Sequence, residues 1–384
     1  MFNPKKLKIA MFASVNNPIP PPKGTINAPM ALTKTLAQGL SKRGHKVVLF
    51  AQKNSYVPGV KIYALKDKWN KNLRIENTNW VSNTKFKFSP NFLNYELQKD
   101  VKKFYNQTAI AEICLKQKEF DIIHFNYSQI DNIVCFAKLF KKPSLIVIHD
   151  FVTPLRKVVL KKAQGFRNLY FVSISNSQRK PCSQKAFIKT IYHGVDILKY
   201  QFNPKPENYL LFSGRLLYKK GVDAAILAAQ KLRIPLKIVG TINDLSYYNK
   251  SIKPYLGKNI QYLGVKSEKQ LISLYQNSRA LLFPIRWEEP FGLVMIESMA
   301  CGTPVIAFKK GSVPEVIKDG KTGFIVEPFD KRGKPNLKEF IEAVKKIDQI
   351  DRRECRRWVE ENFTVEKMLD GYEKVYEKIL KREG

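Results

Sequence analysis

Several features that commonly declare a protein's chemistry are scarce in this sequence. Its 384 residues include only four histidines (His45, His124, His149 and His193), and no two stand at a metal-ligand spacing. The five cysteines (Cys114, Cys135, Cys182, Cys301 and Cys355) are odd in number and scattered. Neither a disulfide framework nor a structural zinc is expected, and the pattern suits a reducing compartment. No Asp-x-Asp motif occurs. No apolar run approaches the roughly 20 residues of a membrane-spanning helix. The segment 8–14, KIAMFAS, reads as a first strand rather than a signal peptide. A cytoplasmic protein, soluble or peripheral at the inner face of a membrane, is the expectation.

Acidic residues are also few, 33 against 67 lysines and arginines, which leaves a net charge of +34. Such an excess attracts nucleic acid, anionic lipid or phosphorylated ligands. No helix-turn-helix, zinc finger or RNA-binding aromatic motif is present, so specific nucleic-acid recognition is not expected. From Lys61 to Tyr105 there are ten basic and four acidic residues, interleaved with Tyr63, Trp69, Trp80, Phe86, Phe88, Phe92, Tyr95, Phe104 and Tyr105. A second patch, 155–168, carries Arg156, Lys157, Lys161, Lys162 and Arg167 without an acid. Two readings stay open: a footprint on an anionic membrane surface, or a lysine excess spread over the whole exterior.

What is present is a chain long enough for two domains, with 44% hydrophobic residues. Apolar, strand-like segments alternate with helical patterns, the mark of parallel α/β sheets. The first half predicts strands at 8–12, 46–51, 121–124, 144–148 and 169–174. Between the first two, Leu32, Leu36 and Leu40 share one face of a helix over 29–43, with Pro29 at its start and Gly44 past its end. The second half restarts the pattern with strands at 209–213, 236–239, 261–263, 280–284, 304–308 and 323–326. The predicted class is α/β, with two Rossmann-like doubly wound domains. The join falls in 194–208, which holds two prolines and no periodicity. A first domain at 1–195, a second at 205–364 and a closing helix over 365–384 result. Ligands of open α/β sheets bind at strand ends, so a cleft lined by such ends is the expected site.

Residues 281–305, LLFPIRWEEPFGLVMIESMACGTPV, carry the strongest functional signal. Glu289 and Glu297 stand eight positions apart around a Pro-Phe-Gly turn and the start of a helix. Phe291 belongs to that turn. The amides of Gly292, Leu293 and Val294 lie between the acids, where a helix offers unsatisfied N–H groups and a positive dipole end. That arrangement is a phosphate seat flanked by acceptors for hydroxyl groups. Upstream, the strand at 209–213 ends in Gly214 and Arg215, with Lys220 five positions further on. Two fixed cations at a strand end can neutralise a diphosphate.

The run E-P-F-G-L-V-x-I-E followed by S-M-A-C-G-T-P-V resembles glycosyltransferase family 4, retaining enzymes of the GT-B fold. G-R-L-L-Y-K-K-G over 214–221 is similar to the family's diphosphate segment, with Lys219 as the fallback for Lys220, and His193–Asp196 match a segment preceding the second domain. The resemblance implies a hexosyltransferase whose donor is a nucleotide diphosphate sugar, UDP-glucose first and GDP-mannose second. It implies Glu289, Arg215 and Lys220 as catalytic residues, with no metal or other cofactor. Glu297 would accept the ribose hydroxyls, Glu289 the sugar hydroxyls, and Leu263 would lie near the base. Front-face departure of the phosphate is the favoured route, with a double displacement through Glu289 as the alternative. The closing helix would pack back on the first domain.

On the acceptor side, Gly24 permits close backbone approach before the first helix, although family members often have paired glycines there. Asn126 stands where a histidine is usual, and His149 with Asp150 is expected to fill part of its role. His124 and His45 are expected to be structural. The acceptor is unspecified, lipid-linked or a small molecule. Alternatives are a GT-B phosphorylase, a noncatalytic sugar-nucleotide binder and, from another class, a basic nucleic-acid-binding protein.

Overall fold

A computed structural model describes residues 5–22, 28–65 and 90–383. Gly24, Trp69, Trp80, Phe86 and Phe88 lie outside the described residues, as do the side chains of Phe92 and Tyr95. The chain divides into two units. One holds residues Met1–Val172, Lys185–Ile188 and Glu373–Gly384, and the other Ser173–Gln184 and Lys189–Tyr372.

Seven strands form the first sheet: β1 (Lys8–Phe12), β2 (Lys46–Ala51), β3 (Lys61–Ala64), β4 (Ile122–Phe125), β5 (Ser144–Ile148), β6 (Leu169–Ser173) and β7 (Lys189–Thr190). Their order is β3-β2-β1-β4-β5-β6-β7. The second sheet holds β8 (Leu210–Ser213), β9 (Leu236–Val239), β10 (Ile260–Tyr262), β11 (Ala280–Phe283), β12 (Val305–Phe308) and β13 (Gly323–Val326), in the order β10-β9-β8-β11-β12-β13. The pairs β1·β2, β1·β4, β8·β9 and β8·β11 all run parallel. Strands buried on both faces need continuous apolar sequence, and β5, β8, β11 and β12 are buried at every position. That is why the strand expectations hold to within a residue or so.

The first helix spans Ala28–Lys42 and buries Met30, Leu32, Leu36 and Leu40 against the sheet, with Gly44 in the left-handed region beyond it. Sequence reading missed β3, β7 and the long helix Pro90–Lys116. That helix buries Ala109, Ile110 and Ile113 near its C-terminal end, while Phe104 and Leu115 stay exposed. Its apolar period is diluted by lysines and by the exposed Phe104 and Leu115, so the stretch reads as surface rather than helix. In both sheets the strand order reverses at a central pair, β1/β4 and β8/β11. The loops leaving those strands define each sheet's natural binding crevice.

Candidate active site

In the second unit, the crevice loops are those after β8 and β11. Gly214 and Arg215 follow β8 directly, and Pro284 to Glu289 follow β11. Arg215 is exposed and makes no ion pair among the described residues. The chain then turns through a short 3-10 helix, Tyr218–Lys220, that carries Lys219 and Lys220. Gly221 closes it in the left-handed region at φ 74°, where a Cβ would meet Pro284 O at 2.0 Å. A side chain there would force the lysine turn off the β11 loop. The Arg286 amide donates to Lys219 O at 2.9 Å, and the Arg286 guanidinium grips both Asp223 carboxylate oxygens at 2.9 and 2.8 Å. Tyr247 adds a phenol hydrogen bond of 2.6 Å to Asp223. This clasp sets the lysine turn against the acidic loop.

Lys220 Nζ lies 2.6 Å from Glu289 Oε2, and Trp287 Nε1 donates to the same oxygen at 2.8 Å. The side chains of Lys220 and Glu289 are 12% and 11% exposed, so the pair is largely withdrawn from water. Oε1 of Glu289 has no hydrogen-bond donor among the described residues. Lys219 stacks on the Trp287 ring at 4.2 Å. Its pKa is lowered by burial, with Arg215 and Lys220 adding like-charge repulsion.

Glu289 is held from behind by the segment after β12. Gly311, at φ 56°, packs so closely that a Cβ would fall 2.2 Å from Glu289 O. The Ser312 amide donates to that oxygen at 2.9 Å, and Ser312 Oγ donates to Phe291 O at 2.7 Å. Phe291 is buried against His193, ring to ring at 5.0 Å. Gly292, in the left-handed region, precedes the helix Leu293–Ala300. Among the described residues, the amides of Leu293 and Val294 make no hydrogen bond. One turn inward, Glu297 accepts from Tyr275 at 3.0 Å, and burial pushes its carboxyl up to about 7. Leu263, just past β10, is half-buried, and Tyr262 beside it donates to Gly240 O at 2.8 Å. Glu315 is a brace, accepting the Asn176 and Ser177 amides at 2.7 and 2.6 Å and the Tyr192 hydroxyl at 2.9 Å.

The first unit's candidates behave differently. Asn126 follows β4 and is buried, donating to Thr33 Oγ1 at 2.6 Å and accepting from His149 Nε2 at 2.5 Å. Both ends of its amide are thus engaged. Burial lowers the His149 pKa to about 4, so the ring is neutral at pH 7. Asp150 pairs with Arg156 at 3.1 Å. His124 meets the Tyr376 hydroxyl at 2.5 Å, and burial lowers its pKa to about 3. His45 bonds Glu373 at 2.9 Å and accepts the Leu7 amide at 3.2 Å. Both are structural, as expected.

Sequence reasoning brought Glu289, Glu297, Arg215 and Lys220 to one sheet's crevice. It did not assign Trp287, Tyr275, Tyr200 or the Arg286–Asp223–Tyr247 clasp. Of these, Trp287 and Arg286 lie within the 281–305 motif and the others outside it. Among the described residues, no cluster of three or more His, Cys, Asp or Glu could hold a metal ion. A hollow of about 390 Å³ lined by Phe202, Pro304 and Arg352 is a weaker candidate, since its Arg352 already donates to three carbonyls and to Thr303.

Residues 196–361 match the family profile described as glycosyl transferases group 1. An uncharacterized glycosyltransferase of Methanocaldococcus jannaschii is 29% identical over 71% of this chain and 80% of its own. Two solved structures share the fold across nearly the whole chain. HepE of Anabaena, solved in complex with UDP-glucose, superposes with a TM-score of 0.69 at 16% identity, covering 97% of this chain and 100% of that one. AviGT4, a glycosyltransferase involved in avilamycin A biosynthesis, gives 0.65 at 18%, covering 97% and 98%. The protein is a glycosyltransferase of the GT-B fold.

Proposed function

We propose that this enzyme transfers a hexose, with retention, from a nucleotide diphosphate sugar to an acceptor hydroxyl. The observation that carries the reading is the pair of open amides at Leu293 and Val294 beside Glu289, whose second carboxylate oxygen is free of donors. Amides at a helix start suit a phosphate, and the open oxygen suits a sugar hydroxyl. Arg215 and Lys220 would take the charge that develops on the diphosphate as the glycosidic bond breaks, the work a divalent cation does elsewhere. Lys220 would then exchange part of its bond to Glu289 for one to phosphate. A carboxylate already bonded by Lys220 and Trp287 is a poor nucleophile, which supports front-face departure over a double displacement through Glu289.

UDP-glucose is the first donor and GDP-mannose the second; a neighbour solved with UDP-glucose supports that order. Among the described residues, no helix is long and apolar enough to cross a membrane. The helix Pro154–Ala163 exposes Leu155 and Val158 beside Lys157, Lys161 and Lys162. That face supports a peripheral place on an anionic inner membrane surface and a lipid-linked acceptor. The test is incubation with each donor, following nucleotide release and, by NMR, the anomeric configuration of the product. An inverted product would remove the retaining mechanism, and a strict need for inorganic phosphate would favour a phosphorylase.

A further inference from the structure

Tyr275 stands on the helix Glu268–Asn277 and is wholly buried. Its phenol oxygen lies 3.1 Å from Ser213 Oγ and 3.0 Å from Glu297 Oε2. A phenol has one proton to give, and an ionised carboxylate can only accept. The proton therefore goes to Glu297, and the Ser213 hydroxyl donates to the phenol oxygen. Ser213 ends β8, immediately before Gly214 and Arg215. A second phenol, that of Tyr200, lies near the same carboxyl.

No cation among the described residues pairs with Glu297. From the neighbouring elements it faces Tyr275, Tyr200, Glu268 and Cys301. The packed helix Arg352–Asn362 brings Arg352 and Arg356 near Cys301, but their guanidinium hydrogens are spent elsewhere. Arg352 donates to the carbonyls of Asn203, Gln276 and Ser278, and Arg356 to those of Ile197, Tyr200 and Ala300. Burial pushes the carboxyl up to about 7, and the Tyr275 hydrogen bond pulls it back toward the ionised form.

We propose that Tyr275 is a positioning residue for nucleoside recognition. Its single proton holds Glu297 turned and ionised to accept a ribose diol, and its oxygen ties that acid to the strand end bearing Arg215. The inference rests on reading Glu297 as the ribose acceptor.

The experiment measures binding of UDP and 2′,3′-dideoxy-UDP, with the GDP pair in parallel, by calorimetry from pH 6 to pH 9. Wild type should prefer the diol-bearing nucleotide and lose that preference as pH falls through about 7. Tyr275→Phe keeps the ring and removes the hydroxyl. It should bind UDP about fivefold less tightly at pH 7, recover to within about twofold at pH 9, and raise the midpoint by about one pH unit. Recovery at high pH separates lost ionisation from a damaged fold. Ser213→Ala should move the midpoint the same way by less, which serves if Tyr275→Phe does not fold. A wild type that ignores the diol overturns the ribose reading and the proposal with it. A wild type that prefers the diol, with a variant midpoint unmoved or a loss equal at every pH, overturns the proposal alone.

Discussion

In the first unit, His124, His149 and Asn126 meet partners within their own fold, and burial keeps both imidazoles neutral. In the second unit, Arg215 is exposed without an ion pair, Lys220 and Glu289 form a largely buried charged pair, and the amides of Leu293 and Val294 are unmatched. One set consists of neutral groups bonded to neighbours in their own unit, and the other holds charged groups and open amides at a crevice. Unmatched donors and a desolvated ion pair cost stability in the free protein, and a charged ligand recovers that cost on binding. Neutral groups hold less of such a reserve than charged ones, so the first unit's polar cluster should matter for folding and the second's for turnover.

The largest expected effect lies in the open set. Arg215→Ala with Lys220→Ala should lower kcat about a thousandfold, while Arg215→Ala alone, at an exposed residue, should lower it with little change in melting temperature. Near wild-type turnover would remove the diphosphate assignment. The neutral set should answer to pH instead. Unfolded imidazoles, with pKa near 6.5, take up protons that folded His124 and His149, at about 3 and 4, refuse. Their contribution is fully present above about pH 6.5 and is lost progressively as pH falls toward 4. Thermal unfolding across that range measures it, and His124→Phe should flatten the slope.

Gly311→Ala tests how far the open set depends on its backing. A methyl at φ 56°, aimed at the Glu289 carbonyl, should cost about 2 kcal/mol in denaturant titrations and lower kcat as well. Trp287→Phe removes one donor from Glu289 and leaves Lys220, so roughly a tenfold fall in kcat is expected. The smallest effect should come from EDTA. Turnover unchanged by chelation, in a preparation that Arg215→Ala cripples, would sharpen the contrast, while loss of activity would point to a cation among the catalytic groups.

Much of the fold was legible in the sequence because parallel strands buried on both faces leave continuous apolar runs, as at β5 and β11. The helix Pro90–Lys116 was not, since its sequence is interrupted by Lys99, Lys102 and Lys103 and, among its described residues, Phe104 and Leu115 are exposed. β3, half exposed along its length, and the two-residue β7 carry too little apolar pattern to be seen. At the site, Asn126 stands where a sugar-facing histidine is expected from the sequence. Its sequence neighbours gave no sign that Thr33 and His149 would occupy both ends of its amide.

By itself the sequence determined what is local: the two sheets, the helix that begins at Leu293, and the placing of Glu289 and Glu297 on either side of its first amides. These follow from periodicity and spacing within some twenty-five residues. The tertiary structure alone decided which groups meet. Lys220 lies 69 positions from Glu289, and Tyr275 62 from Ser213, yet each pair is in hydrogen-bond contact. Residue types fix what a side chain can donate or accept, but a hydrogen bond forms only at contact distance, and the packing of distant segments supplies that distance.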